Sequence, residues 1–400
     1  MRIGVVIEHF NPRRGGAEQW TWQFVQRLLA RGHQVHVLSQ EFSPEAGQLG
    51  IVSHTLARSR NRLRLARAAE RAIGRLDLDV VHDMGLGWHC DVFHSHDGSR
   101  YAQWEQKLQV LPAWARPWKR AMIALLPRYR EFRRLVALQL ADGPRIVLAL
   151  SRMVARDFER YHAVAPRRIR LVYNGVDVER FSPGLRPRYR DAVRRELGIE
   201  PREVVFLFVG HDFQRKGLAT ALRATARLLA RGEPVRLLVV GGRRTGRPAR
   251  RACGSEAGGA AQFVGSIDDP APYYAAADAY VLPTFYDPCS LGVLEAAASG
   301  LPSITTCWNG AAELLADGVH GFVLDDPADD HRMADRMAAL LDARLRQRMA
   351  AAARQLALEH TLDHNCDQIE AIYREVLAAR AQPRSPCSAG REHLYCGEVH

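Results

Sequence analysis

Asp287-Pro288-Cys289-Ser290-Leu291-Gly292-Val293-Leu294-Glu295 follows a strand-like run over 280–284 and leads on to Gly300-Leu301-Pro302. An acid therefore stands at the end of a strand, a small polar turn comes next, and an apolar helix opens near Ser290. The first amides of such a helix lack intrahelical partners and carry the positive end of its dipole, so they suit a phosphate. Glu295 projects from the same helix about one and a half turns further on. Two carboxylates beside a helix start suit sugar hydroxyls beside a phosphate. The stretch predicts one strand–loop–helix unit of an α/β sheet and, at its loop, a nucleotide-sugar site.

Outward from this unit the same alternation continues. The first half predicts strands over 2–8, 34–39, 80–83, 92–95 and 146–150, with helices over 18–31 and 60–74. The second half predicts strands over 204–210, 235–241, 262–265, 280–283 and 302–306 with helices between them. Strand–helix alternation implies parallel sheets flanked by helices. The stretch 103–140 reads as helix interrupted at Pro112, Pro117 and Pro127, and the Pro- and Arg-rich stretch 180–200 reads as a linker. Two doubly wound α/β domains facing each other across a cleft is the simplest architecture, with ligands beyond the carboxyl ends of the strands. The last stretch, 381–400, mixes Pro, Ser, Cys and Gly without period and is expected to be a disordered tail.

Composition narrows the class. Four hundred residues suit two domains, and 47% hydrophobic with 25% charged residues is a globular profile. No run approaches the roughly 18–20 apolar residues of a membrane span, and Glu8 and His9 interrupt the N-terminal apolar stretch too early for a signal peptide. Seven cysteines, an odd number without paired metal spacing, argue for a reducing compartment, so the expected location is the cytoplasm. The net charge of +12 concentrates in two places: seven arginines over 58–75, and seven Lys/Arg over 116–134 with Trp118 and Tyr129 interleaved. Such patches serve an anionic lipid or phosphorylated partner, or are simply a solvated face. No nucleic-acid module accompanies them, so no nucleic-acid partner is expected.

Four strand-end loops could carry chemistry. Gly15-Gly16, leading into a helix, lets backbone approach a ligand or forms a plain turn. His94-Ser95-His96-Asp97 could bind a metal, contact a sugar or acceptor hydroxyl, or be a hydrogen-bonded loop. Arg215-Lys216-Gly217 sets two cations before a helix, a combination that would neutralise a leaving diphosphate without a metal. The loop 241–246 lacks the spacing of a dinucleotide fingerprint, and no P-loop is present.

Together Asp287 and Glu295 with Gly300-Leu301-Pro302, Arg215-Lys216-Gly217, Val172-Tyr173-Asn174-Gly175-Val176-Asp177 and Gly15-Gly16-Ala17-Glu18 resemble the family 4 retaining glycosyltransferases of GT-B fold, over about residues 1–380. Phe213-Gln214-Arg215-Lys216-Gly217, the Arg- and aromatic-rich stretch 127–134 and Arg31-Gly32-His33-Gln34-Val35-His36 are most similar to the lipopolysaccharide core heptose glucosyltransferases. The resemblance implies an acceptor-side domain over 1–170, to which a helix at 363–380 crosses back, and a donor-binding domain over 171–362. It assigns Arg215 and Lys216 to the donor diphosphate, Glu295 to the ribose, and the amides at Ser290 and Leu291 to the phosphate. Gly15 and Gly16 would line the diphosphate from the other domain, and His96 or Asp97 would lie near the anomeric carbon. Asp287 departs from the family's usual Glu at the position that contacts the transferred sugar.

The implied activity is metal-independent transfer of a hexose, glucose, from a UDP-sugar with retention, to a lipopolysaccharide-core or related glycan. No cofactor beyond the donor is called for. Alternatives are a glycolipid or polysaccharide transferase with the same chemistry, or a non-catalytic sugar-nucleotide-binding homologue. The basic aromatic stretch 116–134 would then lie on an anionic membrane, at the inner face, where lipid-linked acceptors are found.

Overall fold

The computed structural model describes residues 1–109, 111–143, 145–242 and 261–381. All but the first residue of the expected tail over 381–400, and residues 243–246 of the loop discussed above, lie outside the described residues. Two wholly parallel sheets form. The first contains β1 (Arg2–Val6), β2 (Gln34–Ser39), β3 (Val52–Thr55), β4 (Val80–Asp83), β5 (Val92–His94), β6 (Ile146–Ala149) and β7 (Ile169–Leu171). The second contains β8 (Val204–Val209), β9 (Val235–Val240), β10 (Ala261–Gly265), β11 (Ala279–Leu282), β12 (Ser303–Thr306) and β13 (Gly321–Leu324). Their orders are β3-β2-β1-β4-β5-β6-β7 and β10-β9-β8-β11-β12-β13. In each, strand order reverses beside the domain's first strand, and in open α/β sheets the ligand crevice lies at that reversal. Gly15–Gly16 follows β1, whereas Arg215–Lys216 and Asp287–Ser290 follow β8 and β11, the strands that flank the second reversal. The expected GT-B architecture is borne out.

Every strand expected from the sequence forms, because Val-, Leu- and Phe-rich runs such as Val204–Val209 are buried on both faces of a parallel sheet. Three further strands were not expected. β3 is polar and mostly exposed and β7 spans three residues around Arg170, so neither carries an apolar signature, whereas β13 is an apolar run only four residues long. The expected linker over 180–200 is corrected: it contains the helix Arg186–Glu196, held to the second sheet by charge. Arg186, Arg190 and Arg194, four residues apart on one face, reach Asp278 at 3.5, 2.8 and 3.2 Å. Pro117 does not interrupt a helix but starts one, Arg116–Leu125, where its missing N–H costs nothing.

The chain crosses between the sheets twice, and the crossings touch. Val176 donates to the His360 carbonyl at 3.0 Å and Leu362 to the Val176 carbonyl at 3.0 Å. A Cβ on Gly175 would lie 2.5 Å from the Thr361 carbonyl oxygen, so only glycine permits this approach. Beyond the crossing, helix Leu362–Ala381 buries Leu362, Cys366, Ile369 and Tyr373 in the core of the first sheet with Ile3, Val5 and Phe24. No described helix is long and apolar enough to cross a membrane.

Candidate active site in the interdomain cleft

The second sheet contributes one wall of the cleft, held by backbone. Gly217 sits at φ +74°, and a Cβ there would stand 1.9 Å from the Pro283 carbonyl oxygen, so the loops after β8 and β11 close on each other. The Arg215 carbonyl receives the Phe285 amide at 2.8 Å and the Thr284 hydroxyl at 3.1 Å. Arg215 itself donates to Asp212 at 3.2 Å and to the Tyr286 carbonyl at 2.9 Å. Lys216 Nζ lies 3.4 Å and Arg215 Nη1 4.0 Å from Asp287 Oδ2. Asp287 is fixed by its own backbone, whose amide donates to Trp308 at 2.9 Å and whose carbonyl accepts from Gly310 at 2.8 Å.

Helix Leu291–Ala298 begins immediately beyond. Ser290 is its N-cap, yet no side chain caps it, and the buried Ser290 hydroxyl has no partner. Instead Asn309 accepts the Ser290 amide at 3.1 Å and Asn174 donates to the Cys289 carbonyl at 2.8 Å. The Asn309 and Asn174 side chains thus hold the helix start in place, and the Ser290 amide, expected at the phosphate, is already taken by Asn309. Glu295 accepts from the fully buried Tyr274 hydroxyl at 2.8 Å. Burial pushes its carboxyl up, against the opposing influence of Tyr274, Arg180 and Lys216.

The first sheet supplies the facing wall. Gly15 begins helix Gly16–Ala30, and a Cβ on Gly16 would lie 3.3 Å from the Leu291 side chain; the paired glycines therefore face the helix start across the cleft. Gly98, at φ +66°, has room for no Cβ: Tyr286 Oη would be 2.8 Å away and Pro288 Cγ 2.9 Å. This packing sets the His96–Asp97 loop against Asp287's own loop. His96 stacks on His94, centroids 4.3 Å apart, and meets the tilted ring of Trp20 at 4.7 Å. Burial lowers it to about 4, so it is neutral at pH 7. Asp97 accepts from Arg100 at 2.5 Å. Desolvation would raise its carboxyl, but Arg100, then Arg215 and Arg62, bring it below the ordinary value. With the side chain 63% exposed, solvent screens these effects. Asp97, not His96, is the member of the pair that couples electrostatically to Arg215. The histidines stack and do not converge, and among the described residues no three metal-ligating side chains gather.

Other residues of the cleft escaped sequence reasoning. Tyr286, 2% exposed, plugs the core of the first domain, donating to Asp157 at 2.8 Å and accepting from the Ser99 amide at 3.2 Å. Glu313 of the second domain caps helix Arg152–His162 of the first, taking the Arg152 and Met153 amides at 2.8 and 2.7 Å. Asn309 and Glu313 are polar residues with no local motif, and Asn174 lies in the 172–177 motif without a role of its own being legible there. Only the acid-after-aromatic pair Tyr286-Asp287 could have drawn notice.

Two family descriptions match: Glycosyltransferase Family 4 over residues 14–180 and Glycosyl transferases group 1 over 203–343. Among curated relatives, the D-inositol 3-phosphate glycosyltransferase of Geodermatophilus obscurus is 31% identical over 336 residues, 77% of this chain and 71% of that one. That of Acidothermus cellulolyticus is 27% identical, covering 95% and 91%. Against the Corynebacterium urealyticum relative, 30% identical, the match covers 62% of this chain and only 61% of the relative's length. Among solved structures, WaaG, a glycosyltransferase involved in lipopolysaccharide biosynthesis, superposes with a TM-score of 0.78 at 22% identity, covering 93% and 99% of the two chains. Anabaena HepE in complex with UDP and glucose gives 0.71 at 17%, covering 93% and 98%. These likenesses carry the fold, and the sequence matches carry the family. The chain belongs to glycosyltransferase family 4.

Proposed function

We propose that this protein transfers a hexose, glucose, from a UDP-sugar to a glycan acceptor of lipopolysaccharide-core type, with retention of configuration and without a metal. The observation that carries this reading is the convergence of Arg215 and Lys216 on Asp287, beside the start of helix Leu291–Ala298. Two cations and a helix dipole answer the charge that develops on a departing diphosphate. Asp287 would accept hydrogen bonds from the transferred sugar, and Glu295, oriented by Tyr274, from the ribose. Gly15 and Gly16 would admit the diphosphate closely from the opposite wall. The acceptor hydroxyl, presented from the Asp97 side, would attack the face the diphosphate leaves, and a diphosphate oxygen would take its proton. Closure of the cleft would exclude the water that otherwise hydrolyses the donor.

Work at an anionic membrane surface is part of the same proposal. Helix Arg116–Leu125 has no buried residue, and Trp114, Trp118 and Leu125 are 75–77% exposed among Arg116, Lys119 and Arg120. An amphipathic basic helix with exposed Trp fits a cytoplasmic leaflet. Sedimentation with vesicles should rise with the anionic lipid fraction, and binding indifferent to lipid charge would sink this part.

A second reading is favoured by the relatives' names, which point to inositol phosphate as acceptor. The donor reading is tested by thermal shift across UDP- and GDP-sugars, because a ligand that binds only the folded state raises Tm by mass action. UDP-glucose should give the largest shift; equal shifts for both bases would overturn the uridine assignment.

A further inference from the structure

A cavity of about 200 Å³ opens in the first domain beside Asp97, the size of a single sugar ring. Its floor is apolar, and Phe132 forms one face. Its charged lining consists of Glu8, Glu18, Asp97, Arg62 and Arg100, beside the neutral polar Ser95 and Gln139. Both guanidiniums are committed. Arg62 donates to Glu8 at 3.1 Å and lies 5.7 Å from the Phe132 centroid. Arg100 donates to Asp97 at 2.5 Å and to Gln103 at 3.2 Å and lies 4.9 Å from the same ring.

Glu18 stands apart. It is half-buried in the first turn of helix Gly16–Ala30 and forms no ion pair among the described residues. Arg14, whose charge reaches it, lies 3.7 Å from Glu41 instead. Three carboxylates against two guanidiniums leave the wall one negative charge in excess. His96 and His162, which also line the cavity, do not offset it, since burial holds both at about 4 and leaves them neutral. His96 also keeps a buried ring nitrogen, Nε2, without a partner.

From this charge balance we infer that the cavity takes an uncharged polyhydroxylated acceptor ring, and that Glu18 is the residue that selects against a phosphorylated one. The inference rests on the glycosyl-transfer reading above and deepens it, since it separates the two acceptor classes left there. A pyranose or cyclitol offers an apolar C–H face to Phe132 and hydroxyls to the carboxylates and to His96 Nε2. A phosphate would meet no uncommitted cation in this wall and an unpaired carboxylate of like sign. Burial pushes the Glu18 carboxyl up, against the opposing influence of its own backbone amide, Arg14 and His9.

The test titrates the full chain, with and without UDP, with myo-inositol against myo-inositol 1-phosphate and with methyl glucoside against glucose 6-phosphate, read by saturation-transfer NMR. The neutral ring of each pair should bind about tenfold or more tightly than its phosphate. Glu18→Lys should shrink or invert that ratio. Glu18→Gln, which keeps shape and removes charge, should shrink it and guards against a folding failure of the first variant. A phosphate that binds as tightly as its parent ring, a ratio unmoved in both variants, or no ring binding at all would overturn the inference. The UDP thermal shift on the same samples tests the donor reading separately, because the sugar ratio is read whether or not UDP binds.

Discussion

On the second-domain wall of the cleft, proposed to hold the donor, close main-chain contacts set most positions: Gly217 lies against the Pro283 carbonyl and Gly310 against the Pro288 carbonyl, while the Asn309 and Asn174 side chains hold the Ser290 amide and the Cys289 carbonyl. On the acceptor wall they are set by side chains from far-separated segments, Glu8, Glu18, Arg62, Asp97, Arg100 and Phe132, which meet in ion pairs and ring contacts. Backbone constraint tolerates few substitutions and suits a ligand part common to many reactions, in the proposed reading a nucleotide diphosphate. A wall of side chains can be re-cut one residue at a time, which suits acceptor choice. If the proposed roles hold, the division lets one fold keep its donor chemistry while its acceptor changes.

The strongest way to break this contrast is Lys216→Ala. Removing a cation aimed at the leaving group should lower kcat about 10²–10³-fold with Tm little changed; intact turnover would remove Lys216 from the chemistry. Gly217→Ala comes next. It forces an alanine into left-handed backbone with its Cβ 1.9 Å from a carbonyl oxygen, so stability should fall by about 3 kcal/mol. An unaltered denaturant midpoint would show that the donor wall is not fixed by backbone at all. Phe132→Ala should raise acceptor KM about tenfold through lost apolar contact and leave donor KM nearly constant; equal changes in both would dissolve the division into two walls.

The smallest effects are expected from pH. His82, His96 and His162 are depressed by burial to about 3, 4 and 4. Their folded-state pKa values lie below the ordinary 6.5, so the unfolded chain gains protons first. The stability they protect is whole above pH 6.5 and drains as pH falls towards 4. Asp157, under Tyr286, has the opposite sign. Burial raises it to about 6, so its proton favours the folded state. That contribution is full below about pH 3.8 and is lost as pH rises through 6. Thermal unfolding followed from pH 7 to 4 should show a net decline. Asp157→Asn, which removes one of the opposing contributions (buried Asp83, also raised to about 6, keeps the other), should steepen that decline between pH 6 and 4. A profile that the substitution leaves unchanged would mean that Tyr286–Asp157 does not titrate with folding.

Much of the donor wall was legible because its determinants are local. An acid at a strand end, a small turn and a helix start lie within nine residues, and Arg215-Lys216-Gly217 is a single loop. Periodicity likewise exposed the buried strands, since parallel strands are apolar on both faces. Edge strand β3 and short β7 carry no such pattern, and the helix Arg186–Glu196 hid behind its arginines, which are explained only by Asp278 some 80–90 residues away. His96 and Asp97 could not be told apart in sequence, because their difference lies in what surrounds them: Trp20 and His94 bury one, while Arg100 and Arg215 reach the other.

By itself, then, the sequence determined the two-sheet α/β plan, the family and the strand-end loops proposed to hold the donor, because hydrophobic period, glycine and charge at strand ends act within a few residues of where they are written. Only the tertiary structure decided how the walls meet. Gly98 beneath Tyr286, Glu313 capping a helix of the other domain, Tyr373 returning to the first core, and the unpaired charge on Glu18 all depend on residues brought together by the fold. Contact and charge balance are properties of neighbours in space, and these neighbours are scattered from residue 8 to residue 373 along the chain.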